Sequence, residues 1–105
     1  MKDVETNSLE ADVKKAVKAF CKEKGAWYFM SVPGGYSRRT VDFHICYRGR
    51  FIACETKRPS VSSATRIQGK ELYDVRQAGG YAIVENSVNL ETLRAVFSAI
   101  ENTPV

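Results

Sequence analysis

The stretch that most limits the possible folds of this chain comprises residues 41–57, where apolar residues alternate in two short runs. In the first run, one face is predicted to carry Val41, Phe43, Ile45 and Tyr47, and the other Asp42, His44 and Cys46. In the second run, Phe51, Ala53, Glu55 and Lys57 alternate with Ile52, Cys54 and Thr56. Alternation in runs rich in β-branched and aromatic residues is typical of half-buried strands. Because Gly49 supplies a turn between the runs, the pattern predicts a β-hairpin.

The length of the hairpin loop determines which side chains meet. A two-residue loop at Arg48-Gly49 places Asp42 directly across from Glu55, and such partners have Cβ atoms about 4.5–5.5 Å apart. A three-residue loop instead places Thr56 opposite Asp42. We expect the two-residue loop, so that two carboxylates lie side by side.

Two adjacent carboxylates are costly unless something neutralises them. In one interpretation, Lys57 and nearby arginines neutralise them on the solvated face of a sheet, which is the common place for alternating charges. In the other, the carboxylates hold a divalent cation, because hard cations prefer oxygen ligands. The residue pattern alone leaves both interpretations open.

The remaining predicted elements lie on both sides of the hairpin in sequence. They are a helix capped by Ser8 and ended by Gly25, a strand over 27–32, a helix over 64–78, a buried strand over 81–85 and a final helix capped by Asn89. The aromatic residues of the strand over 27–32 are predicted to lie in the core, in preference to forming a base-stacking platform. This order predicts an α/β fold, with helices in layers around a mixed, mainly four-stranded sheet.

Composition places the chain among small intracellular domains. A length of 105 residues predicts a single domain over 1–105, with 1–7 frayed. No apolar run is long enough for a membrane span. Three cysteines without CxxC spacing argue against a disulfide framework and predict a reducing cytoplasm, in a bacterial or phage-infected cell.

The acidic pair of the hairpin is one of several short motifs whose order along the chain is informative. These motifs are Glu10, Asp42, Glu55-Thr56-Lys57, Thr65-Arg66-Ile67-Gln68, Gly79-Gly80-Tyr81-Ala82 and Asn86-Ser87. In this order and spacing, from Leu9 to Ile100, the chain resembles the PD-(D/E)XK nuclease superfamily and, more narrowly, its VRR-NUC branch. Val41 stands where the superfamily name has Pro, and Tyr36–Arg39 departs from the Gly-rich approach expected there.

The resemblance implies a restriction-endonuclease-like core and a metal-dependent endonuclease that hydrolyses phosphodiester bonds. The residues implied in binding Mg²⁺ or Mn²⁺ are Asp42, Glu55, Glu10 and, through its backbone carbonyl, Thr56. From the helical pattern alone, Glu10 is a first-turn acid favoured by the helix dipole, and it becomes a ligand only through the resemblance. Lys57 is implied to orient water or stabilise charge, and Gln68 to help position these groups. His44 is expected to be a partly buried, hydrogen-bonded histidine outside the catalytic set.

A net charge of +4 suits a phosphodiester substrate, although ordinary basic domains carry similar charge. The candidate nucleic-acid contacts are Tyr36, Arg38, Arg39, Arg58, Arg66 and Lys70. The expected activity is structure-selective cleavage of branched or structured DNA in repair, recombination or phage replication. One alternative is a Holliday-junction resolvase that acts as a homodimer. The other is a non-catalytic, basic DNA-binding module.

Overall fold

The computed structural model describes residues 9–31, 40–61 and 66–104. Its helices are α1 (Glu10–Lys24), α2 (Arg66–Gln77) and α3 (Glu91–Glu101). Its strands are β1 (Trp27–Met30), β2 (Phe43–Tyr47), β3 (Arg50–Thr56) and β4 (Tyr81–Glu85). This order confirms the predicted one. Within the described ranges, no helix has the length and apolar character needed to cross a membrane.

The four strands form one mixed sheet in the order β1-β2-β3-β4. Strands β1 and β3 both run antiparallel to β2, and β4 runs parallel to β3. In the hairpin, Tyr47 pairs with Arg50, which confirms the two-residue loop. Arg48 and Gly49 both have positive φ, at 50° and 77°, as a two-residue type I′ hairpin turn requires.

Helices lie on both faces of the sheet, which confirms the α/β/α arrangement. On one face, α1 and α3 bury the larger apolar cluster, which includes Phe20, Phe43, Ile45, Ile52 and Phe97. On the other face, α2 buries a smaller cluster of Val41, Ala53, Leu72 and Ala82. The crossover through α2 lets β4 pair in parallel with β3, because parallel neighbours need a long connection.

Val41 lies on a different face from the one predicted. It packs with Ala53 and Leu72 in the smaller cluster, whereas Phe43 and Ile45 belong to the larger one. The alternation fails because β2 begins only at Phe43 and the chain bends at Asp42. The prediction that Val41 shares a face with Phe43 is therefore wrong.

The aromatic residues of β1 also depart from the prediction. Trp27 and Phe29 are 61% and 53% exposed, while Tyr28 packs against the larger cluster. The strand alternates as expected, but α2 packs over β3 and β4, and among the described residues these two rings of β1 stay exposed. The prediction that Trp27 and Phe29 are core residues is wrong.

Both predicted helix caps are wrong as well. The cap of α1 is Leu9, whose backbone N–H donates to the Asp12 carboxylate over 2.8 Å, and Ser8 lies outside the described residues. The cap of α3 is Leu90 rather than Asn89. Leu90 has no polar side chain, so the first turn of α3 takes its hydrogen-bond acceptor from Glu85 on β4.

Candidate metal centre

Three carboxylates from distant parts of the sequence meet at the end of the hairpin. Glu10 comes from the first turn of α1, Asp42 from the bend before β2, and Glu55 from near the end of β3. One oxygen of each lies within 4.8 Å of the others. The structure thus brings together the three acidic residues that the sequence predicted as ligands.

Asp42 is held by the backbone and side chain of β3. The backbone N–H of Thr56 donates to Asp42 Oδ2 over 3.0 Å, and the Thr56 hydroxyl donates to the same oxygen. These two donors fix one oxygen and leave Oδ1 facing α1, where Lys14 lies 3.7 Å away. Thr56 is therefore a positioning residue for Asp42, while the predicted role of its carbonyl stays a prediction.

Glu55 is the most enclosed member of the trio, at 1% exposed. Its Oε1 accepts the backbone N–H of Asp42 over 3.1 Å, and its Oε2 lies 3.2 Å from the ammonium of Lys57. Burial, together with the nearby Asp42 charge, raises the pKa of Glu55 to about 7, although Lys57 acts in the opposite direction. Glu55 therefore ionises less readily than an exposed glutamate does.

Lys57 connects the trio to α2. Its ammonium donates to the side-chain oxygen of Gln68 over 3.3 Å, in addition to its contact with Glu55. Gln68 is 8% exposed and therefore faces inward. The structure thus places Lys57 and Gln68 beside the carboxylates, as expected.

Lys14, in the second turn of α1, also belongs to this cluster. Its ammonium lies 3.5 Å from Glu10 Oε2 and 3.7 Å from Asp42 Oδ1. The four-residue spacing from Glu10 indicates the first contact, because such pairs are neighbours on a helix. The second contact depends on how α1 packs on the sheet, which no local pattern shows.

A second polar cluster fixes the chain just before Asp42. Glu71 of α2 accepts hydrogen bonds from the Thr40 hydroxyl and from Val41 N–H, and its other oxygen lies 2.8 Å from His44 Nε2. Burial opposes ionisation of Glu71, but these hydrogen bonds outweigh it and lower its pKa. His44 is thus partly buried and hydrogen-bonded, as predicted, and its place outside the catalytic set stays a prediction. The sequence gives no local signal for the role of Glu71.

The predicted nucleic-acid contacts are only partly described. Tyr36, Arg38, Arg39 and the side chain of Arg66 lie outside the described residues. Arg58 is exposed and follows Lys57 directly. Lys70 is exposed and lies 3.0 Å from Asp74, one helical turn away. Arg58 is therefore the described member of this set that lies next in sequence to the trio.

The donor set fits a small, hard cation. Three carboxylates face two ammonium groups, Lys14 and Lys57, so the cluster has one excess negative charge when all five groups are ionised. Mg²⁺ and Mn²⁺ prefer oxygen ligands of this kind. Burial and the charge of Asp42 both raise the pKa of Glu55, and a bound cation would act in the opposite direction.

Comparison with known proteins adds no further information on the site. No protein-family model matches the chain, and a search of curated proteins also gave no match. The functional conclusion therefore depends on the geometry of the trio and on the residues around it.

Proposed function

We propose that the protein is a metal-dependent DNA endonuclease of the VRR-NUC type, within the PD-(D/E)XK superfamily. The observation that carries this proposal is the convergence of Glu10, Asp42 and Glu55 within 4.8 Å, with Lys57 only 3.2 Å from Glu55. The resemblance assigns a catalytic role to these same four residues. Glu55 is almost completely buried, whereas a charged residue on the solvated face of a sheet stays exposed.

Each residue of the cluster has a role that follows from its contacts. Glu10, Asp42 and Glu55 would hold Mg²⁺ or Mn²⁺. When bound, the ion supplies Lewis acidity toward the scissile phosphate and lowers the pKa of the attacking water. Thr56 holds the carboxylate of Asp42 in place through two hydrogen bonds.

Lys57 contributes a positive charge where negative charge develops during phosphodiester hydrolysis. Gln68 accepts a hydrogen bond from this ammonium, and Glu55 pairs with it, so its position is fixed before the substrate binds. A preorganised donor of this kind is worth about 10²–10³-fold in rate. We expect Lys57→Ala to lower cleavage by that factor, and a variant that cleaves as fast as the wild type would contradict the role.

The charge of the remaining molecule suits a polyanionic substrate. Without the three carboxylates, nine acidic residues face 16 lysines and arginines. Exposed Arg58 follows Lys57 in the chain, and Lys14 contacts Glu10 and Asp42 of the trio. Positive charge beside an acidic centre favours binding of the phosphate backbone.

The test is cleavage of labelled duplex, flap and four-way-junction DNA with Mg²⁺, Mn²⁺ or EDTA. The wild type is compared with Asp42→Asn and with Asp74→Asn, the same substitution at an exposed aspartate of α2. We expect metal-dependent cutting that is lost only in Asp42→Asn. DNA binding without cutting in either metal would favour the non-catalytic module instead.

The choice of substrate separates the two nuclease alternatives. Symmetric paired nicks across a four-way junction would assign the protein to the resolvase class, acting as a homodimer. Preferential cutting of flaps or nicked duplex would assign it to general structure-selective endonucleases. Both classes share the metal chemistry described above.

A further inference from the structure

Asp42 differs from the other two carboxylate residues of the trio in its local structure. Glu10 lies in a helix and Glu55 in a strand, whereas Asp42 lies in a bend. Strand β2 begins one residue later, at Phe43, whose pairing with Cys54 is the last of the hairpin. Small hard cations demand well-placed ligands, so the direction of the Asp42 carboxylate depends on contacts outside the hairpin ladder.

Glu71 of α2 holds the chain on both sides of this bend. Its Oε1 accepts hydrogen bonds from the Thr40 hydroxyl and from the Val41 N–H, the latter over 2.9 Å. Its Oε2 lies 2.8 Å from Nε2 of His44. Two of these partners directly precede Asp42 and the third follows two residues later, so a single carboxylate spans the bend.

The contacts of Glu71 distinguish it from the three candidate ligands. Both of its oxygens are engaged by neighbouring polar groups of the protein. Among the described residues, it is not a member of the carboxylate group whose oxygens lie within 4.8 Å of one another. A carboxylate with such contacts can orient a neighbouring ligand without binding the ion itself.

Helix α2 is anchored where these contacts are made. Leu72, the residue after Glu71, packs with Val41 in the smaller apolar cluster. Gln68, three residues before Glu71 and therefore its neighbour on the helix, accepts a hydrogen bond from Lys57. One packed helix thus contacts both the lysine and the chain around the bend, and rigid elements position side chains more precisely than loops do.

We propose that Glu71 is a positioning residue for the metal centre, which holds the backbone around Asp42 and so directs that carboxylate toward the other two. This role rests on the proposed function, because it takes Asp42 to be a metal ligand. Loss of a group that orients a metal ligand typically costs about 10–100-fold in metal affinity. Removal of the Glu71 carboxylate should therefore weaken metal binding by that factor, although the residue does not bind the ion.

Two conservative substitutions separate positioning from direct participation in metal binding. Glu71→Gln keeps the length of the side chain and an oxygen that accepts from Thr40 and Val41, but it removes the charge. Glu71→Asp keeps the charge but is one methylene shorter, so it cannot span the same three partners. A positioning residue requires the length of the side chain, whereas a ligand requires its charge.

The first measurement is the Mn²⁺ affinity of the full chain by isothermal titration calorimetry. The matched control is Glu85→Ala, because Glu85 is a buried glutamate whose oxygens accept the backbone N–H groups of Leu93 and Ser87, away from the bend. We expect the affinity to fall about 10–100-fold in Glu71→Ala and Glu71→Asp. It should stay close to the wild-type value in Glu71→Gln and in the control.

The second measurement reports on the position of Asp42 without metal. The backbone N–H of Thr56 donates to Asp42 Oδ2, so its hydrogen exchange in EDTA follows the hold on that carboxylate. We expect the Thr56 amide to exchange faster in Glu71→Ala than in the wild type, relative to the Leu93 amide, which donates to Glu85. Glu85→Ala should show the reverse pattern, so a general loss of stability is distinguished from a local one.

Unchanged Mn²⁺ affinity and unchanged Thr56 exchange in Glu71→Ala would overturn the positioning role. Loss of affinity in Glu71→Gln with retention in Glu71→Asp would also overturn it, because the carboxylate would then act through its charge. A wild type that binds no Mn²⁺ would contradict the proposed metal centre instead, and the exchange rates would still decide whether Glu71 holds Asp42. Should Glu71→Ala fail to fold by circular dichroism, Glu71→Asp replaces it in both measurements.

Discussion

Two glutamates on neighbouring strands are equally buried but have different surroundings. Glu55 on β3 and Glu85 on β4 are each 1% exposed. Glu85 lies beside Thr56 in the parallel register, and Glu55 lies beside Val84. The two carboxylates thus come from the same end of adjacent strands, yet their hydrogen-bond partners differ completely.

Both oxygens of the Glu85 carboxylate accept hydrogen bonds from backbone groups. Its two oxygens accept the backbone N–H groups of Leu93, over 2.8 Å, and of Ser87, over 3.2 Å. The Leu93 N–H lies in the first turn of α3, where a negative charge also complements the helix dipole, and the Ser87 N–H lies in the connection before that helix. Burial still raises the pKa of Glu85, but the donors act against it. Glu85 is therefore a structural cap for α3.

Glu55 has donors from Asp42 and Lys57 but faces two further carboxylates. Burial and the negative charge of Asp42 raise its pKa to about 7. A buried acid whose charge is left partly unbalanced is costly to keep unless it binds something. The difference teaches that the partners of a carboxylate, rather than its burial, separate the proposed metal ligand Glu55 from the structural acid Glu85.

The largest expected effect is on cleavage. Glu55→Gln should lower the cleavage rate at least about 10³-fold, because it removes a ligand charge from the centre. Glu85→Gln should leave the rate per folded molecule unchanged. Single-turnover cleavage of the preferred DNA, normalised to the folded fraction, measures both. Equal losses in the two variants would break the distinction between the two acids.

The hairpin and its acidic pair could be predicted because the signals are local. Alternation, Gly49 and the two-residue loop set the register, and the register brings Asp42 to Glu55. The contribution of Glu10 could be expected only from the resemblance, because its helical position alone has an ordinary explanation.

Other features depend on packing between distant elements. The bend at Asp42 moves Val41 to the other face of the sheet, and no alternation pattern encodes a bend. Lys14 joins the trio because of how α1 lies on the sheet. Similarly, Glu85 accepts a hydrogen bond from the first turn of α3, in place of the predicted acceptor Asn89, because α3 packs beside the end of β4. The exposure of Trp27 follows from the limited reach of α2.

The second-largest expected effect is on the pH dependence of the free energy of unfolding in the absence of metal. The pKa of Glu55 is about 7 in the folded chain, against an ordinary value of 4.5. Between these two pH values, the folded state binds more protons at Glu55 than the unfolded state does. The free energy of unfolding therefore falls as pH rises from about 4.5 to 7, by up to about 3 kcal/mol. Urea unfolding in EDTA between pH 5 and 8 measures this slope.

Glu55→Gln isolates the contribution of this one acid. The variant cannot ionise, so it should lack the Glu55 part of the slope and be more stable than the wild type at pH 8. The slope due to Glu85 remains in both proteins and cancels in their difference. Saturating Mg²⁺ should flatten the wild-type slope, because the ion favours the ionised carboxylate. Identical slopes in the two proteins would contradict the raised pKa.

A smaller effect on stability is expected for substitution of Glu85, the structural acid of the pair. Glu85→Gln replaces one accepting oxygen with an amide NH₂ group that cannot accept the N–H of Leu93 or Ser87. Losing such a bond at a buried site costs about 1–3 kcal/mol. Thermal and urea unfolding at pH 8 should show Glu85→Gln below the wild type and Glu55→Gln above it. A stabilised Glu85→Gln would show that this carboxylate, too, carries an unbalanced charge.

The smallest expected effect concerns Lys14, whose ammonium lies 3.7 Å from Asp42 and 3.5 Å from Glu10. A cation entering the trio must overcome the repulsion of this charge, so Lys14→Met should tighten Mn²⁺ binding by about threefold to tenfold, on the scale of a partly exposed ion pair. Lys15→Met, on the exposed side of α1, is the matched control and should change nothing. Calorimetric titration at pH 8 keeps Glu55 ionised, so that proton competition does not mask the effect. Added salt should shrink the difference, because screening weakens the repulsion. Weaker Mn²⁺ binding in Lys14→Met would mean that the lysine positions the carboxylates rather than opposing the ion, and the trio would then depend on its neighbours as Glu85 does.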